Sequence, residues 1–291
     1  MRAAEAVWIF VLACCGLATS YGSPIRAFVS IPPEAYIIQR IGGDEVQVEA
    51  LTKPWQSPET FDISPEQMIA LSKADLYFTL DLPFEQALTE KLKKQHPKIK
   101  IVSLRQGIPL RKLEEAHNHE GHHHSPLEWD PHIWLNPKLV VIQCTTILDA
   151  LIEQKPTAKT LFENNAALLI QELEALHRSL QTMLEPVRGK PFFVYHPAFG
   201  YFADAYGLKQ VSIEYDGKSP SLKRLESLQT EAQQKNVRTL FIQPEFEQAQ
   251  AKQLAKNLGA ELVTLDPLAY NYLENIYAIA SRVRAGIETE K

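Results

Sequence analysis

The sequence predicts an α/β fold of two lobes, each with a parallel four-stranded sheet, joined by one long α-helix. Short apolar segments of strand length alternate with charged, leucine-containing segments in both halves, and a long stretch without internal glycine or proline separates the halves. Alternation of this kind is typical of parallel sheets covered by crossover helices. A chain of 291 residues is long enough for two lobes, each with a substantial core.

Segments rich in valine, isoleucine and phenylalanine are predicted as strands. They are 27–31, 46–51, 75–80 and 99–104 in the first half, and 191–195, 210–215, 239–243 and 261–265 in the second. Between them lie helix signals, such as Ser64 as a cap before Pro65 at the first helical position. Segments 221–235 and 247–258 have the composition of crossover helices.

The two halves are joined by a predicted amphipathic helix over 157–186. Its leucines recur at spacings of three and four, which places them on one face; they are Leu169, Leu173, Leu176, Leu180 and Leu184. At 1.5 Å per residue the helix is roughly 40 Å long, enough to run along both lobes. We therefore expect a signal peptide at 1–23, an N-terminal lobe at 24–155 with a His-rich loop at 115–126, a linker helix at 156–186 and a C-terminal lobe at 187–291.

Composition and the N-terminal segment indicate an exported globular protein. A hydrophobic share of 45%, a charged share of 22% and a net charge of -5 leave no large basic surface for nucleic acid. Arg2 precedes a short apolar run at 6–12 that is too short to span a bilayer, as in a secretory signal. Two processing routes are open: Cys14 ends a lipoprotein-like box and would carry a lipid anchor, whereas 18–20 has the pattern of ordinary signal cleavage.

Candidate metal ligands follow several predicted strands. Glu59 lies in the loop after 46–51, and His132 lies in the long connection after 99–104. His196 and Asp266 come directly after 191–195 and 261–265. Because ligands bind beyond the carboxyl ends of parallel strands, we expect these four groups to face one cleft between the lobes.

Six of the nine histidines lie in one short stretch, residues 117–137. Only His132 has a stiff setting, Asp-Pro-His-Ile-Trp-Leu-Asn-Pro, where we expect Asp130 to hydrogen-bond the second ring nitrogen of His132 or of another ligand. The preceding histidines form either a weak, exchangeable metal-binding collar or a solvated loop. They are His117, His119, His122, His123 and His124.

Three motifs carry a resemblance to a known family. They are DPHIWLNP at 130–137, VYHPAFGYFADAYGL at 194–208 and LDPL at 265–268. In these motifs, in their order and in the His-rich insert, the chain resembles the cluster A-I solute-binding proteins, the extracytoplasmic zinc- or manganese-binding components of ABC transporters. The resemblance implies two (β/α)4 lobes with a metal ion between them.

By this resemblance, His132 and His196 correspond to histidine ligands and Asp266 corresponds to a carboxylate ligand of some members. Glu59 stands where the family usually has its first histidine ligand, within the sequence Pro-Glu-Thr-Phe-Asp. The chain also has Gln243 and Glu245 where zinc-type members often have Glu-Pro-Gln. We expect Gln243 and Glu245 to lie outside the set of metal ligands.

The expected function is capture of a divalent ion, zinc, and its delivery by a monomer to an ABC permease in the membrane. Two histidines with two carboxylates are a harder donor set than three histidines, which leaves manganese or iron(II) as an alternative. A metal-dependent adhesin or hydrolase is the alternative from a different class. The chain has no His-Glu-x-x-His motif and no nucleophile elbow, so we expect no enzyme.

Overall fold

A computed structural model describes residues 23–113, 129–214 and 222–288. The strands in these ranges form two parallel four-stranded sheets, β2-β1-β3-β4 and β6-β5-β7-β8. They are β1 (Ile25–Val29), β2 (Val46–Ala50), β3 (Leu76–Thr79), β4 (Lys100–Ser103), β5 (Pro191–Val194), β6 (Lys209–Ser212), β7 (Thr239–Ile242) and β8 (Glu261–Thr264). The predicted fold class is confirmed. The predicted signal segment with Cys14 and the His-rich loop at 115–126 lie outside the described residues.

Helices alternate with the strands, and proline opens several of them. They are α1 (Pro32–Gly42), α2 (Pro65–Leu71), α3 (Pro83–Gln95), α4 (Pro137–Gln154), α5 (Lys159–Leu184), α6 (Gly200–Tyr206), α7 (Leu222–Gln234), α8 (Gln248–Leu258) and α9 (Tyr272–Glu288). Ser64 caps α2, because its hydroxyl accepts from the Gln67 amide at 3.2 Å. Within the described ranges, no helix has both the length and the apolar character of a membrane span.

The shared strand order determines where the two lobes form their loops. In each sheet the second strand lies on one side of the first strand, and the third strand lies on the other side. The switch point, where the strand order reverses, therefore lies beside β1 in one sheet and beside β5 in the other. Ligands of open parallel sheets bind at such a switch point, beyond the carboxyl ends of the strands. The loop after β2 and the residues after β5 meet at this position.

Helix α5 spans 26 residues and is therefore roughly 39 Å long at 1.5 Å per residue. It packs against α1, α4 and α9, and Leu173 and Leu180 on its inner face are fully buried. Burying one leucine side chain stabilises the fold by about 2 kcal/mol. One continuous hydrophobic core includes Val29 of β1, the buried face of α5 and Phe192 of β5. The two sheets are thus held through a common core.

Two further hydrogen bonds join the chain around His132 to the C-terminal lobe. The indole nitrogen of Trp134 donates to the Pro267 carbonyl at 2.9 Å, and the Tyr272 hydroxyl donates to the Trp134 carbonyl at 2.7 Å. Trp134 and Tyr272 are both buried, so water does not compete for these bonds. The position of His132 is therefore fixed relative to both lobes.

Candidate metal centre

His132 and His196 meet between the two lobes. Their ring centroids are 5.4 Å apart with an interplanar angle of 70°. His132 precedes a short 3-10 turn at Ile133–Leu135, and His196 follows β5 after one residue. The two side chains are almost completely buried, with 4% and 6% of their residue surface exposed. The structure thus brings together two imidazoles that are 64 positions apart, from 132 to 196.

Glu59 lies in the loop between β2 and α2 and completes a group of three donors. Its Oε1 is 3.1 Å from Nε2 of His196. One ligand atom from each of Glu59, His132 and His196 lies within 4.8 Å of the other two. Zinc binds nitrogen and oxygen at about 2.0–2.2 Å, so a single ion fits among donors at this separation.

A carboxylate holds each histidine through Nδ1. Asp130 Oδ1 lies 2.8 Å from Nδ1 of His132, and Glu214 Oε2 lies 3.0 Å from Nδ1 of His196. A metal-binding histidine typically donates its second N–H in this way, which fixes the tautomer and leaves Nε2 for the ion. Asp130 hydrogen-bonds the second ring nitrogen of His132, as the sequence predicted. Glu214 was missed, because it falls inside a segment that was predicted as strand.

Gln243 and Phe246 fix the backbone and ring of His196. The Gln243 amide donates to the His196 carbonyl at 2.9 Å and accepts from the His196 N–H at 3.4 Å. The Phe246 ring stacks on the imidazole at a centroid distance of 5.1 Å and an angle of 29°. These contacts order His196 before any ion binds.

The donor group carries compensating charge. Burial lowers the pKa of His196, but the negative charge of Glu59 and the hydrogen bonds to Glu214 and Glu59 outweigh burial and raise this pKa to about 10. Burial raises the pKa of Glu59, and the charges of His196 and His132 outweigh that effect and lower it. A proton on His196 therefore balances the carboxylates in the metal-free protein, and a bound cation must displace it.

The cavity between these donors is the size of a single ion or water molecule. Its volume is about 10 Å³, close to one water-sized sphere. Its walls are Ser57, Pro58, Glu59, His132, Trp134, His196, Ala198, Glu245, Phe246, Pro267 and Leu268. An organic substrate does not fit in such a volume.

Asp266 lies beside the cavity but outside the group of three donors. Its Oδ1 accepts from the Leu268 backbone N–H at 2.9 Å, and its carbonyl accepts from the Asn275 amide at 2.7 Å. Burial raises the pKa of Asp266, although the backbone bonds oppose the shift. The side chain thus stabilises the turn that leads to α9, and Pro267 and Leu268 of this turn line the cavity.

Glu245 is a second acidic residue that lines the cavity, besides Glu59. Its Oε2 is buried and has no hydrogen-bond partner among the described residues. Burial raises the pKa of Glu245 to about 7; the nearby charges of Asp266 and Glu59 add to this shift, and His196 opposes it. A buried carboxylate oxygen without a partner is rare in proteins, because its desolvation is costly. Such an oxygen fits the role of an ion ligand.

Two α/β lobes on a common core, with a buried group of three potential metal ligands between them in the described residues, are typical of a metal-binding protein. Similarity to known proteins agrees with this class. The family described as "Zinc-uptake complex component A periplasmic" (ZnuA) matches residues 28–286. The chain belongs to this family, and the resemblance seen in its motifs is confirmed.

Individual relatives cover most of the chain. The zinc-binding lipoprotein AdcA of Streptococcus pneumoniae is 29% identical over 269 residues, which are 89% of this chain and 53% of that protein. The high-affinity zinc uptake system protein ZnuA of Yersinia pestis is 27% identical, over 82% of this chain and 81% of that protein. A crystal structure of ZnuA superposes with a TM-score of 0.83 at 35% identity and covers 91% of this chain and 100% of that chain. The chain thus spans about half the length of AdcA, the first of these relatives.

Proposed function

We propose that the protein captures zinc in the interlobe cavity outside the cytoplasm and delivers it to an ABC permease. The proposal depends on one observation: donors from Glu59, His132 and His196 converge within 4.8 Å in a buried space. The names of the relatives, zinc-binding and zinc-uptake proteins, support zinc as the cargo.

Zinc fits the cavity better than manganese. Zinc accepts four ligands in a tetrahedral arrangement, whereas manganese favours six, largely oxygen, ligands. Two imidazoles and one carboxylate supply three of four positions, and a cavity of about 10 Å³ has no room for several ordered waters. The small number of donors therefore favours zinc over manganese or iron(II).

A carboxylate from the C-terminal lobe is proposed as the fourth donor. The sequence motif assigns this role to Asp266, which would have to weaken its bond to the Leu268 amide. Glu245 requires no such change, because its buried Oε2 has no partner among the described residues. We therefore favour Glu245 as the donor, unlike the sequence expectation that left Glu245 outside the set of metal ligands, with Asp266 supporting the turn beside it.

Capture and release are proposed to involve small local shifts. Helix α5 packs on both lobes, and one core continues from Val29 to Phe192, so wide separation of the lobes would expose buried apolar surface. Glu59 is the most exposed of the three converging donors, with 25% of its side chain exposed. Movement of the loop that carries Glu59 opens the cavity without disturbing either sheet.

We also propose that the protein is exported and acts as a monomer. The relatives are described as periplasmic or as lipoproteins, which supports a location outside the cytoplasm, free or lipid-anchored at Cys14. One chain supplies all three converging donors, so a monomer suffices for binding. The mass of the mature N-terminus distinguishes acylation at Cys14 from cleavage after the small residues at 18–20.

The proposal is tested by titrating metal-free protein with zinc and manganese against a chelator of known affinity. We expect one tight zinc ion per chain and weaker manganese binding. His132→Ala and His196→Ala should each abolish the tight site, while His96→Ala, at the end of α3, should retain it. A tight site that survives both substitutions would contradict the proposal, and a preference for manganese would overturn the cargo.

A further inference from the structure

Arg111 links the two lobes directly behind His132. It lies in the connection after β4, and its Nη1 is 3.0 Å from Asp130 Oδ2. Its Nε is 3.0 Å from Oδ2 of Asp204 on α6, and its backbone N–H donates to the Tyr201 hydroxyl at 3.0 Å. One residue of the N-terminal lobe thus contacts both the carboxylate that orients His132 and a helix of the other lobe.

Asp130 depends on this arginine for its charge balance. The Asp130 carboxylate is completely buried, and its Oδ1 accepts from both the backbone and the ring of His132. Removing the cation from a buried ion pair leaves a carboxylate that is desolvated without compensation. The backbone N–H of Asp130 also donates to the Arg111 carbonyl at 3.0 Å, so the two residues are joined twice.

The ion pair lies directly against the first turn of α6. A Cβ atom at Gly200 would overlap the Arg111 guanidinium and lie 2.6 Å from Asp130 Oδ2. Only glycine allows the helix backbone to approach the pair this closely. The pair is therefore in contact with the C-terminal lobe as well as with His132.

We propose that Arg111 is a positioning residue that makes the orientation of His132 depend on the docking of α6. This inference rests on the proposed function, since it concerns the same ion. With the lobes docked, Asp204 holds the Arg111 guanidinium and Tyr201 holds the Arg111 backbone N–H. The guanidinium in turn holds Asp130, and Asp130 holds Nδ1 of His132. When a partner shifts α6, the restraint on His132 weakens and the ion is released faster.

The test compares Arg111→Gln and Arg111→Lys with wild type. Zinc release is followed in a chelator chase, and the cobalt(II)-loaded protein is examined by its visible spectrum, which reports ligand geometry. Arg105→Gln is the matched control, because Arg105 lies in the same connection and pairs with Asp81 at 3.1 Å. Loss of an outer partner of a metal ligand typically costs about 10–100-fold in affinity.

We expect Arg111→Gln to release zinc at least about tenfold faster and to change the cobalt spectrum. Arg111→Lys keeps the charge but lacks the planar fork that reaches both carboxylates, so its release rate should lie between those of wild type and Arg111→Gln. Arg105→Gln should match wild type in both measurements. If Arg111→Gln also matches wild type, the inference is wrong.

Asp204→Asn is a second variant that tests the role of Arg111. Should Arg111→Gln fail to fold, Asp204→Asn removes the ion pair between Arg111 and α6 while leaving the Arg111–Asp130 pair in place. This variant must then accelerate zinc release, and an unchanged rate would overturn the inference. If His132→Ala still binds zinc tightly, the proposed metal site itself is wrong. If His132→Ala loses zinc but Arg111→Gln does not, only the role of Arg111 is wrong.

Discussion

The Oε1 atom of Glu59 lies 3.1 Å from Nε2 of His196, which joins a loop of the N-terminal lobe to the residues after β5 in the C-terminal lobe. In the metal-free protein this contact is an ion pair inside a nearly closed cavity. The atoms in contact are also the ones that a bound cation would use. The contact therefore shows that the donor group is assembled before the ion arrives.

Replacing Glu59 with glutamine should weaken zinc binding by more than about tenfold, because it removes the anionic donor. It should also lower the pKa of His196, since the charge of Glu59 is the largest influence that raises it. Calorimetry measures the first effect and NMR titration of the imidazole measures the second. The matched control is Glu90→Gln, at an exposed position on α3; equal zinc affinity in the two variants would contradict a role for Glu59.

The stability of the metal-free protein should fall as the pH rises from about 6.5 towards 10. The pKa of His196 is raised from 6.5 to about 10 in the folded state, so its contribution is fully present below 6.5 and is lost as the pH passes 10. Urea unfolding in the presence of a chelator, at several pH values, measures this. His196→Gln should flatten the profile in this range; a wild-type profile that is already flat would show that His196 is not protonated between the carboxylates.

Glu245→Gln should weaken zinc binding by about tenfold or more, whereas Asp266→Asn should have a smaller effect. Glu245 has a buried oxygen without a partner in the described residues, while Asn at 266 retains an oxygen that accepts from the Leu268 amide. Zinc competition with a chelator ranks the two variants. If Asp266→Asn is the weaker binder, the fourth donor is Asp266, as the motif implies.

Glu214→Gln should leave zinc bound but release it about tenfold faster, because the amide holds His196 Nδ1 less strongly than a carboxylate does. The Glu214 side chain is buried and lies 3.0 Å from that nitrogen. Stopped-flow chelator chase measures the rate, and the exposed Glu90→Gln variant again serves as control. Unchanged release would mean that Glu214 only fills space.

Glu34→Gln should stabilise the protein at pH 8 by on the order of 2 kcal/mol and have little effect near pH 4.5. Burial raises the pKa of Glu34 from 4.5 to about 8, although the hydrogen bond from Gln143 opposes the shift. The folded state therefore keeps a proton that the unfolded state loses, and stability declines with pH between these values. Glutamine has no proton to lose, and its amide can donate to Gln143 Oε1, which has no partner among the described residues. Urea unfolding at both pH values decides; a variant that is less stable at pH 8 would contradict the assignment.

Much of the fold could be predicted because its signals are local. Buried parallel strands read as short apolar runs, and the leucine spacing of α5 marks one helical face. The meeting of His132 and His196 was predicted from the connections that follow the strands, since the carboxyl ends of parallel strands open into a common crevice, and from the resemblance of the two motifs. Asp130 could be assigned because it is two positions from His132 and flanks a rigid turn.

The remaining parts of the site depend on contacts between distant segments. Glu214 reaches His196 only because β6 pairs with β5, and the strand order is not visible in the residues themselves. Arg111 and Asp204 are ordinary surface charges in the sequence, and only the docking of α6 brings them together. Asp266 Oδ1 accepts a hydrogen bond from the Leu268 backbone, whereas Glu245 Oε2 has no partner among the described residues. This difference arises only in the folded protein and is not visible in the sequence.

The shared core around α5 also bears on how the proposed permease partner would recognise this protein. If the spacing between the sheets is nearly constant, the outer shapes of the empty and the loaded carrier are nearly the same. A permease partner would then have to distinguish the two forms by the position of the Glu59 loop or by electrostatics. Exchange of the His196 proton for a divalent ion adds one positive charge inside the cavity between the lobes, which changes the electrostatic potential around the Glu59 loop.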